Sequence, residues 1–315
     1  MLKLQKIPTR DMSREEWLAQ RRHHVGGSDA AAIAGLNSYS TAYTVWADKT
    51  GRLPEVEENE AMRLGRDLEP YVAQRWMEAT GKKVRRENAI LINPEYPFAH
   101  ANVDRMVICE NAGLECKTTN ALNLRKYKNG EYPANYYVQC MHYMAVTGAD
   151  RWYLAVLVLG IGFYTYTIER DADEVAALME MEENFWKCVE TDTPPACDGE
   201  PATGDAIRAI YRDGTDDEPV ELFGRESLLT QYFAEGDAIK RHEKEQERIK
   251  QILMQDLGEN TVGLCGNYKV TWKPVVSNRI DTKTLKKELP EIAAQYTRQT
   301  QSRTVRVLRS EIGVL

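Results

Sequence analysis

The feature that most restricts the fold is a change of hydrophobic period in the first half of the chain. Residues 59–80 carry apolar side chains at helical spacing and end at Gly81, after which short strand-like segments separated by turn residues take over. The elements predicted after the change are strands at 89–92, 99–101, 105–109 and 113–118, a helix at 133–147, and strands at 151–158 and 162–169. This order predicts an α/β core with a mixed central sheet flanked by helices.

The length predicts a second part beside this core. A chain of 315 residues exceeds what one hydrophobic core usually holds. Pro and Gly cluster at 193–204, so we predict a core at 1–192, a linker or domain edge at 193–225, and a C-terminal α+β extension at 226–315. The elements predicted in the extension are a long helix at 226–256, with a solvated charge run at 240–250, a hairpin at 266–276, a helix at 283–296 and a strand at 302–308.

Charge and composition exclude several classes of protein. The net charge is −7, but residues 266–315 hold ten basic against four acidic side chains, so a local phosphate-binding surface is not excluded. No apolar run approaches the ~20 residues that span a bilayer, and the first ten residues do not resemble a secretory signal. The six cysteines form no CxxC pair and are expected to be reduced thiols. We therefore expect a cytoplasmic protein with no membrane partner.

Three short stretches place acidic side chains where the fold alone does not need them. Glu69 falls inside the first long helix, and Asp104 falls at the start of a strand. Glu115 and Lys117 share one face of the next strand, because strand side chains alternate with period two. Taken singly, Asp104 is a common turn residue and Glu115-x-Lys117 a common surface pair. Together they predict a site for Mg²⁺, which prefers oxygen ligands and retains waters, one of which can act as the nucleophile. Lys117 would orient that water or offset charge on a phosphoryl oxygen.

The spacing of these residues resembles a known nuclease signature. Asp104 followed by Glu115-x-Lys117 resembles the PD-(D/E)XK motif, with Glu69 as the acid of the preceding helix. Gln139-x-x-x-Tyr143 is similar to the glutamine motif of the exonuclease branch of that superfamily. The position before Asp104 departs from the signature, since it is valine rather than proline.

The N-terminal stretch narrows the resemblance. Its matching residues are Trp17, Arg21, Gly26-Gly27-Ser28-Asp29, Tyr39, Trp46 and Lys49-Thr50-Gly51. With the core motifs they resemble the YqaJ-type viral recombinase family, relatives of bacteriophage lambda exonuclease, over roughly residues 13–190. The resemblance implies a PD-(D/E)XK restriction-endonuclease-like core. It also implies 5′-to-3′ degradation of one strand of linear duplex DNA, leaving 3′ single strands for phage-type recombination by strand annealing.

The resemblance also implies roles for individual residues. Asp104, Glu115 and the backbone carbonyl of Cys116 would hold Mg²⁺, or Mn²⁺ in its place, with Glu69 adding a direct or water-mediated contact. Lys117 would be the catalytic lysine, and Gln139 would position Lys117 or the water. Arg21 and Ser28 would receive the 5′-terminal phosphate, which suits a guanidinium and the free N–H groups of a Gly-Gly-Ser turn before a helix. A homo-oligomeric ring, a trimer in relatives, and a single-strand annealing partner are expected from the same source.

Several alternatives stay open at this point. The same core also suits an endonuclease, for restriction or junction cutting, or a non-catalytic DNA-binding protein. Arg125, Lys126 and Lys128 either line a DNA channel or are solvated surface. Trp46 and Trp76 are interpreted as core residues rather than base-stacking platforms.

Overall fold

The computed structural model describes residues 3–55, 58–214, 219–299 and 303–308, and the chain divides into two compact units, Met1–Tyr211 and Arg212–Leu315. The helices of the first unit are α1 (Arg14–Arg22), α2 (Gly27–Ile33), α3 (Ala42–Lys49), α4 (Glu60–Thr80), α5 (Ala134–Thr147), α6 (Ala172–Glu190) and α7 (Pro201–Ile210), with a 3₁₀ helix at Ala121–Tyr127. Its strands are β1 (Gln5–Pro8), β2 (Val84–Arg85), β3 (Ala89–Ile92), β4 (His100–Ala101), β5 (Arg105–Val107), β6 (Ala112–Thr119), β7 (Arg151–Val158) and β8 (Gly162–Glu169).

The central sheet is mixed, as the sequence predicts. Five strands pair in the order β2-β5-β6-β7-β8, with β6 and β7 parallel and the other neighbours antiparallel. A smaller antiparallel sheet pairs β1, β3 and β4. Strand β6 is the middle strand of the larger sheet, and its residues Glu115 and Lys117 pair with Leu154 and Val156 of β7.

The ends of the helices follow local signals in the sequence. The Ser13 hydroxyl accepts from the Glu16 N–H and the Glu16 carboxylate accepts from the Ser13 N–H, which is the predicted capping box of α1. The Asn59 side chain accepts from the backbone of α4 in the same way. Gly81 ends α4 in the left-handed conformation, with φ of 72°, which a glycine adopts without steric cost.

Helices α4 and α5 bury apolar side chains against strand β7, whose side chains alternate between two clusters. Trp152, Leu154 and Val156 pack in the cluster that includes the buried side of α5, whereas Tyr153 packs with Trp76 of α4. Trp76 is 0% exposed and Trp46 is 2% exposed, which confirms the prediction that both belong to the core.

Gly113 on β6 lies directly against the Trp152 ring. A Cβ atom added at Gly113 would lie 2.1 Å from Cζ2 of Trp152, which is fully buried and has no free space to enter. We expect Gly113→Ala to lower the free energy of unfolding by about 3 kcal/mol, measured by urea denaturation, because overpacking forces side chains off their rotamers. Gly162→Ala is the matched control on β8, since its added Cβ has no neighbour nearer than 3.8 Å. Equal losses in the two variants would contradict this packing argument.

Helix α7 lies inside the segment predicted to be a linker. Its Thr203 hydroxyl is 2.8 Å from the hydroxyl of Thr41, and Ala206 is buried in the cluster that contains Trp46. Residues 193–225 are predicted to be a linker or a domain edge. Residues 201–210 form a helix rather than a linker, and the boundary between the two units falls inside the segment, after Tyr211 rather than at 192. The sequence misleads here because Pro201 suggests a break, whereas proline also suits the first turn of a helix.

The second unit consists of α8 (Glu226–Leu257), a hairpin of β9 (Val262–Cys265) and β10 (Tyr268–Thr271), α9 (Thr282–Glu288) and α10 (Pro290–Gln295). Leu257 is the buried residue of α8, and the charge run at 240–250 is exposed, as predicted.

The last described residues do not form the strand predicted for them. The predicted strand at 302–308 is wrong for residues 303–308, which have no regular secondary structure, because alternation forms a strand only where a neighbouring strand pairs with it; Ser302 lies outside the described residues. Within the described ranges, no helix is both long and apolar enough to cross a bilayer.

Candidate active site

Strand β6 brings the predicted carboxylate and lysine together. The Glu115 side chain is 3% exposed, and its Oε1 lies 2.5 Å from Nζ of Lys117. The Lys117 ammonium also lies 5.1 Å from the centre of the Tyr136 ring. The two side chains lie on the same face of the strand, as the period-two spacing on β6 predicts.

Asp104 reaches the same place from the start of the preceding strand. Strands β5 and β6 are antiparallel, with Arg105 opposite Leu114, so Asp104 lies beside the backbone of residues 115–116. The N–H of Cys116 donates to Oδ2 of Asp104 over 2.8 Å. This bond fixes the Asp104 carboxylate beside the Cys116 peptide, which is where the resemblance places a metal-binding carbonyl.

Gln139 lies on the buried side of α5 and contacts Glu115. Its Nε2 donates to Glu115 Oε1 over 2.7 Å and to the Tyr143 hydroxyl over 2.9 Å. Gln139 and Tyr143 are one helical turn apart, which explains the spacing of the glutamine motif. The structure therefore has Gln139 orienting the carboxylate of Glu115 rather than contacting Lys117 directly.

Glu69 joins the cluster through a residue that sequence reasoning missed. The Arg105 guanidinium, on β5, donates through Nη1 to Glu69 Oε1 and to the backbone carbonyl of Asp104. Its side chain is only 7% exposed. The one signal in the sequence was an arginine within a short strand next to Asp104, which by itself is also typical of an exposed side chain.

The carboxylates of the cluster lie close enough to one another for a bound cation to be favourable. Burial and the charges of Glu115 and Glu69 raise the pKa of Asp104 well above its ordinary range. Burial alone would lower the pKa of Lys117, but the carboxylates of Glu115 and Asp104 outweigh it and raise the pKa. Oε2 of Glu115 is buried and has no hydrogen-bond partner, and such a group is costly unless something binds it.

This unpartnered oxygen tests whether the site suits a divalent metal ion. In the described part of the chain, no three His, Cys, Asp or Glu side chains form a ready metal-binding group. The donors that suit such an ion are the carboxylates of Asp104 and Glu115, and the Cys116 carbonyl stays a predicted third ligand. Few protein oxygens, with water in the remaining positions, are typical of Mg²⁺ sites.

The predicted phosphate-binding residues, Arg21 on α1 and Ser28 on α2, lie side by side. Nη2 of Arg21 lies 3.3 Å from the hydroxyl of Ser28, and the guanidinium stacks 4.7 Å from the centre of the Trp17 ring. A cavity of about 930 Å³ is lined by both Arg21 and Glu69, so the Arg21 side chain shares this space with one acid of the cluster.

One N–H group of the Gly-Gly-Ser turn already has a partner within the protein. The Gly26 N–H, expected to be free for an anion, donates to Oδ2 of Asp29 over 2.9 Å. Asp29 also pairs with Lys49 over 2.6 Å, and Lys49 donates to the Arg21 carbonyl over 2.9 Å. The side chains of Arg21 and Ser28 remain as the candidate phosphate ligands.

The other residues predicted to contact DNA come after β6 in the chain. Arg125 and Lys126 lie on the 3₁₀ helix, and Lys128 comes directly after it; all three are exposed. They stay predictions, since their exposure suits both a DNA contact and a solvated surface.

The mixed sheet, its flanking helices and the cluster of Asp104, Glu115 and Lys117 define a PD-(D/E)XK-type α/β protein. The fold agrees with the crystal structure of LHK-Exo in complex with dAMP, which is 23% identical with a TM-score of 0.50, over 57% of this chain and 94% of that one. A further match is the alkaline exonuclease LHK-Exo from Laribacter hongkongensis, 22% identical with a TM-score of 0.49, over 57% and 94% of the two chains.

The sequence comparisons identify the family. The model of the YqaJ-like viral recombinase domain matches residues 16–150. An uncharacterized protein, YqaJ of Bacillus subtilis (strain 168), is 39% identical over 298 residues, which cover 93% of each chain. The chain belongs to the YqaJ-like viral recombinase family, which confirms the resemblance found in the sequence.

Proposed function

We propose that this protein is a Mg²⁺-dependent exonuclease that degrades one strand of linear duplex DNA from the 5′ end. The observation that carries the proposal is the convergence of Asp104, Glu115 and Lys117, with a buried oxygen of Glu115 that has no partner. The family, and the alkaline exonuclease fold, support a nuclease. Mn²⁺ is expected to substitute for Mg²⁺, since both accept oxygen ligands.

The residues of the site divide the work of phosphodiester hydrolysis among them. A bound Mg²⁺ would polarise the scissile phosphate and favour deprotonation of a water molecule. Asp104 and Glu115 would bind the ion, with Glu115 oriented by Gln139. The Lys117 ammonium, paired with Glu115, would face the attacking water or the phosphoryl oxygen that gains charge, where a fixed positive group is most effective.

Release of nucleotides from a 5′-phosphorylated linear duplex tests the proposal. We expect release with Mg²⁺, none with EDTA, and no cutting of covalently closed circles. Cutting of circles would instead indicate an endonuclease. If purified folded protein releases nothing and binds divalent metal no better than Asp104→Ala, the protein is a non-catalytic DNA-binding protein and the proposal fails.

Recognition of the 5′-terminal phosphate is tested at Arg21. Its guanidinium, held beside the Ser28 hydroxyl, suits a terminal phosphate. We expect Arg21→Ala to lower the rate on 5′-phosphorylated ends about 10-fold or more, as for the loss of one charge-assisted contact of 1.5–3 kcal/mol, and to leave the slower rate on 5′-hydroxyl ends nearly unchanged. Equal losses on the two substrates would contradict this assignment.

The partners follow from the same proposal. A ring around the DNA, a trimer in relatives, would keep the enzyme on its track, and an annealing protein would receive the 3′ strand. Light scattering of the full-length chain tests the ring, which a monomer at all concentrations would contradict. Co-purification with an annealing protein from the same genome, at salt concentrations that disrupt DNA binding, tests the partnership.

A further inference from the structure

Arg105 is a buried cation placed beneath the carboxylates of the candidate metal site. Its side chain is 7% exposed, and a single nitrogen, Nη1, donates both to Glu69 and to the Asp104 carbonyl. A group that spans a helix and a strand in this way fixes the position of the more mobile partner. Here that partner is Glu69, whose side chain is 28% exposed and has room to turn.

The three carboxylates of the cluster have different partners. Lys117 lies on Oε1 of Glu115 and Arg105 lies on Oε1 of Glu69, whereas Asp104 accepts a backbone N–H from Cys116. Of the carboxylates that have a cationic partner, Glu115 keeps a buried oxygen free of hydrogen bonds. Glu69 is therefore already paired with a cation before any metal ion binds, and it has no buried oxygen left without a partner.

We propose that Arg105 is a positioning residue that retains Glu69 and so restricts the carboxylates available to a divalent cation to Asp104 and Glu115. The inference rests on the proposed metal site. Its consequence is that Arg105 weakens metal binding, both by occupying Glu69 and by direct repulsion of a second positive charge at short range. With fewer protein oxygens available, a bound ion would keep more waters, and hydrolysis needs such a water.

The test measures Mn²⁺ binding to the full-length protein without DNA, from the electron paramagnetic resonance signal of free Mn²⁺. We expect Arg105→Met to bind Mn²⁺ about 10-fold more tightly than the wild type, because Glu69 becomes available and a nearby positive charge is lost. Glu69→Gln should change the affinity less than about 3-fold, since Arg105 already compensates Glu69. Arg105→Met combined with Glu69→Gln should lose most of the gain.

A matched control separates this effect from a general change in charge. Arg151→Met removes an arginine that pairs with Glu169 over 3.3 Å on the same sheet, and it should leave the affinity unchanged. Arg105→Gln, a neutral side chain that still donates hydrogen bonds, repeats the measurement if Arg105→Met does not fold. Each variant must melt within a few degrees of the wild type, because an unfolded chain exposes other carboxylates that bind metal ions.

The outcomes distinguish the inference from the proposed function. If the wild type binds Mn²⁺ and the Arg105 variants bind it no more tightly, the inference is wrong and the nuclease proposal stands. If the double variant keeps the full gain, Glu69 is not the group that Arg105 retains, and the inference is wrong as well. If the folded wild type neither binds Mn²⁺ nor degrades DNA, the proposed function itself fails.

Discussion

Lys117→Ala is expected to lower the rate of DNA hydrolysis by about 10³-fold, because in the proposed function it would remove the positive group beside the reacting phosphate. Its ammonium lies 2.5 Å from Glu115 on the middle strand of a mixed sheet, so no other side chain takes over this position without moving the strand. The measurement is the single-turnover rate on a 5′-phosphorylated duplex at saturating enzyme. Affinity for the same duplex, measured in Ca²⁺, should change by less than about 10-fold, since one phosphate contact at most is lost.

The control for this experiment is Lys187→Ala. Lys187 is exposed on α6, where it pairs weakly with Glu183, and its loss should leave the rate unchanged. Melting temperatures within a few degrees of the wild type would exclude a folding defect in Lys117→Ala. A folded Lys117→Ala protein that digests DNA at the wild-type rate would remove the main support for the proposed chemistry.

The part of the site that the sequence predicts is the part formed by local structure. Asp104, Glu115 and Lys117 lie on two strands joined by a short turn, so the period of a strand and the turn suffice to bring them together. The mixed sheet is predicted for a similar reason, since the order of helices and strands restricts how they can pack.

Contacts between distant elements could not be predicted in the same way. Arg105 meets Glu69 across 36 residues, and Gln139 meets Glu115 across 24. These contacts depend on how α4 and α5 pack on the sheet. Only the resemblance to a family suggested Gln139, and only the resemblance gave Glu69 a place beside the other acids. The position of Arg105 in a short strand next to Asp104 did not separate a buried arginine from an exposed one, because the burial of an arginine is a property of the folded chain. The hydrogen bond from the Gly26 N–H to Asp29 is a similar case, since the sequence of a short turn does not show which acceptor its N–H groups will contact.

A second large effect is expected at a buried ion pair behind the site. His142 on α5 and Glu182 on α6 are both 0% exposed, and Nδ1 of His142 lies 2.8 Å from Oε1 of Glu182. Nε2 of His142 donates to the His100 carbonyl over 2.8 Å. The imidazole, on α5 with Gln139, therefore connects this helix to α6 and to strand β4. Loss of the pair would weaken the packing that positions Gln139.

We expect Glu182→Ala to lower the free energy of unfolding at pH 6 by about 3–5 kcal/mol, measured by urea denaturation, because it leaves a buried imidazole without its charged partner. The control is Glu183→Ala, the next residue of the same helix, whose exposed pair with Lys187 should contribute less than about 1 kcal/mol. Glu182→Gln should lose less than Glu182→Ala, since an amide still offers a hydrogen bond to the ring. Equal losses for Glu182→Ala and Glu183→Ala would contradict a stabilising role for the pair.

The pH dependence of this loss has a definite sign. Burial lowers the pKa of His142, but the Glu182 carboxylate outweighs burial and raises it above 6.5; burial also raises the pKa of Glu182, which His142 only partly offsets. Groups whose pKa is raised on folding hold protons more tightly in the folded state, so their contribution is fully present below their unfolded pKa and is lost as the pH rises through the folded value. The difference in stability between the wild type and Glu182→Ala should therefore shrink as the pH is raised above 6.5. A difference that grows with pH would mean that the pair is held as neutral histidine and ionised glutamate, with the opposite linkage to protons.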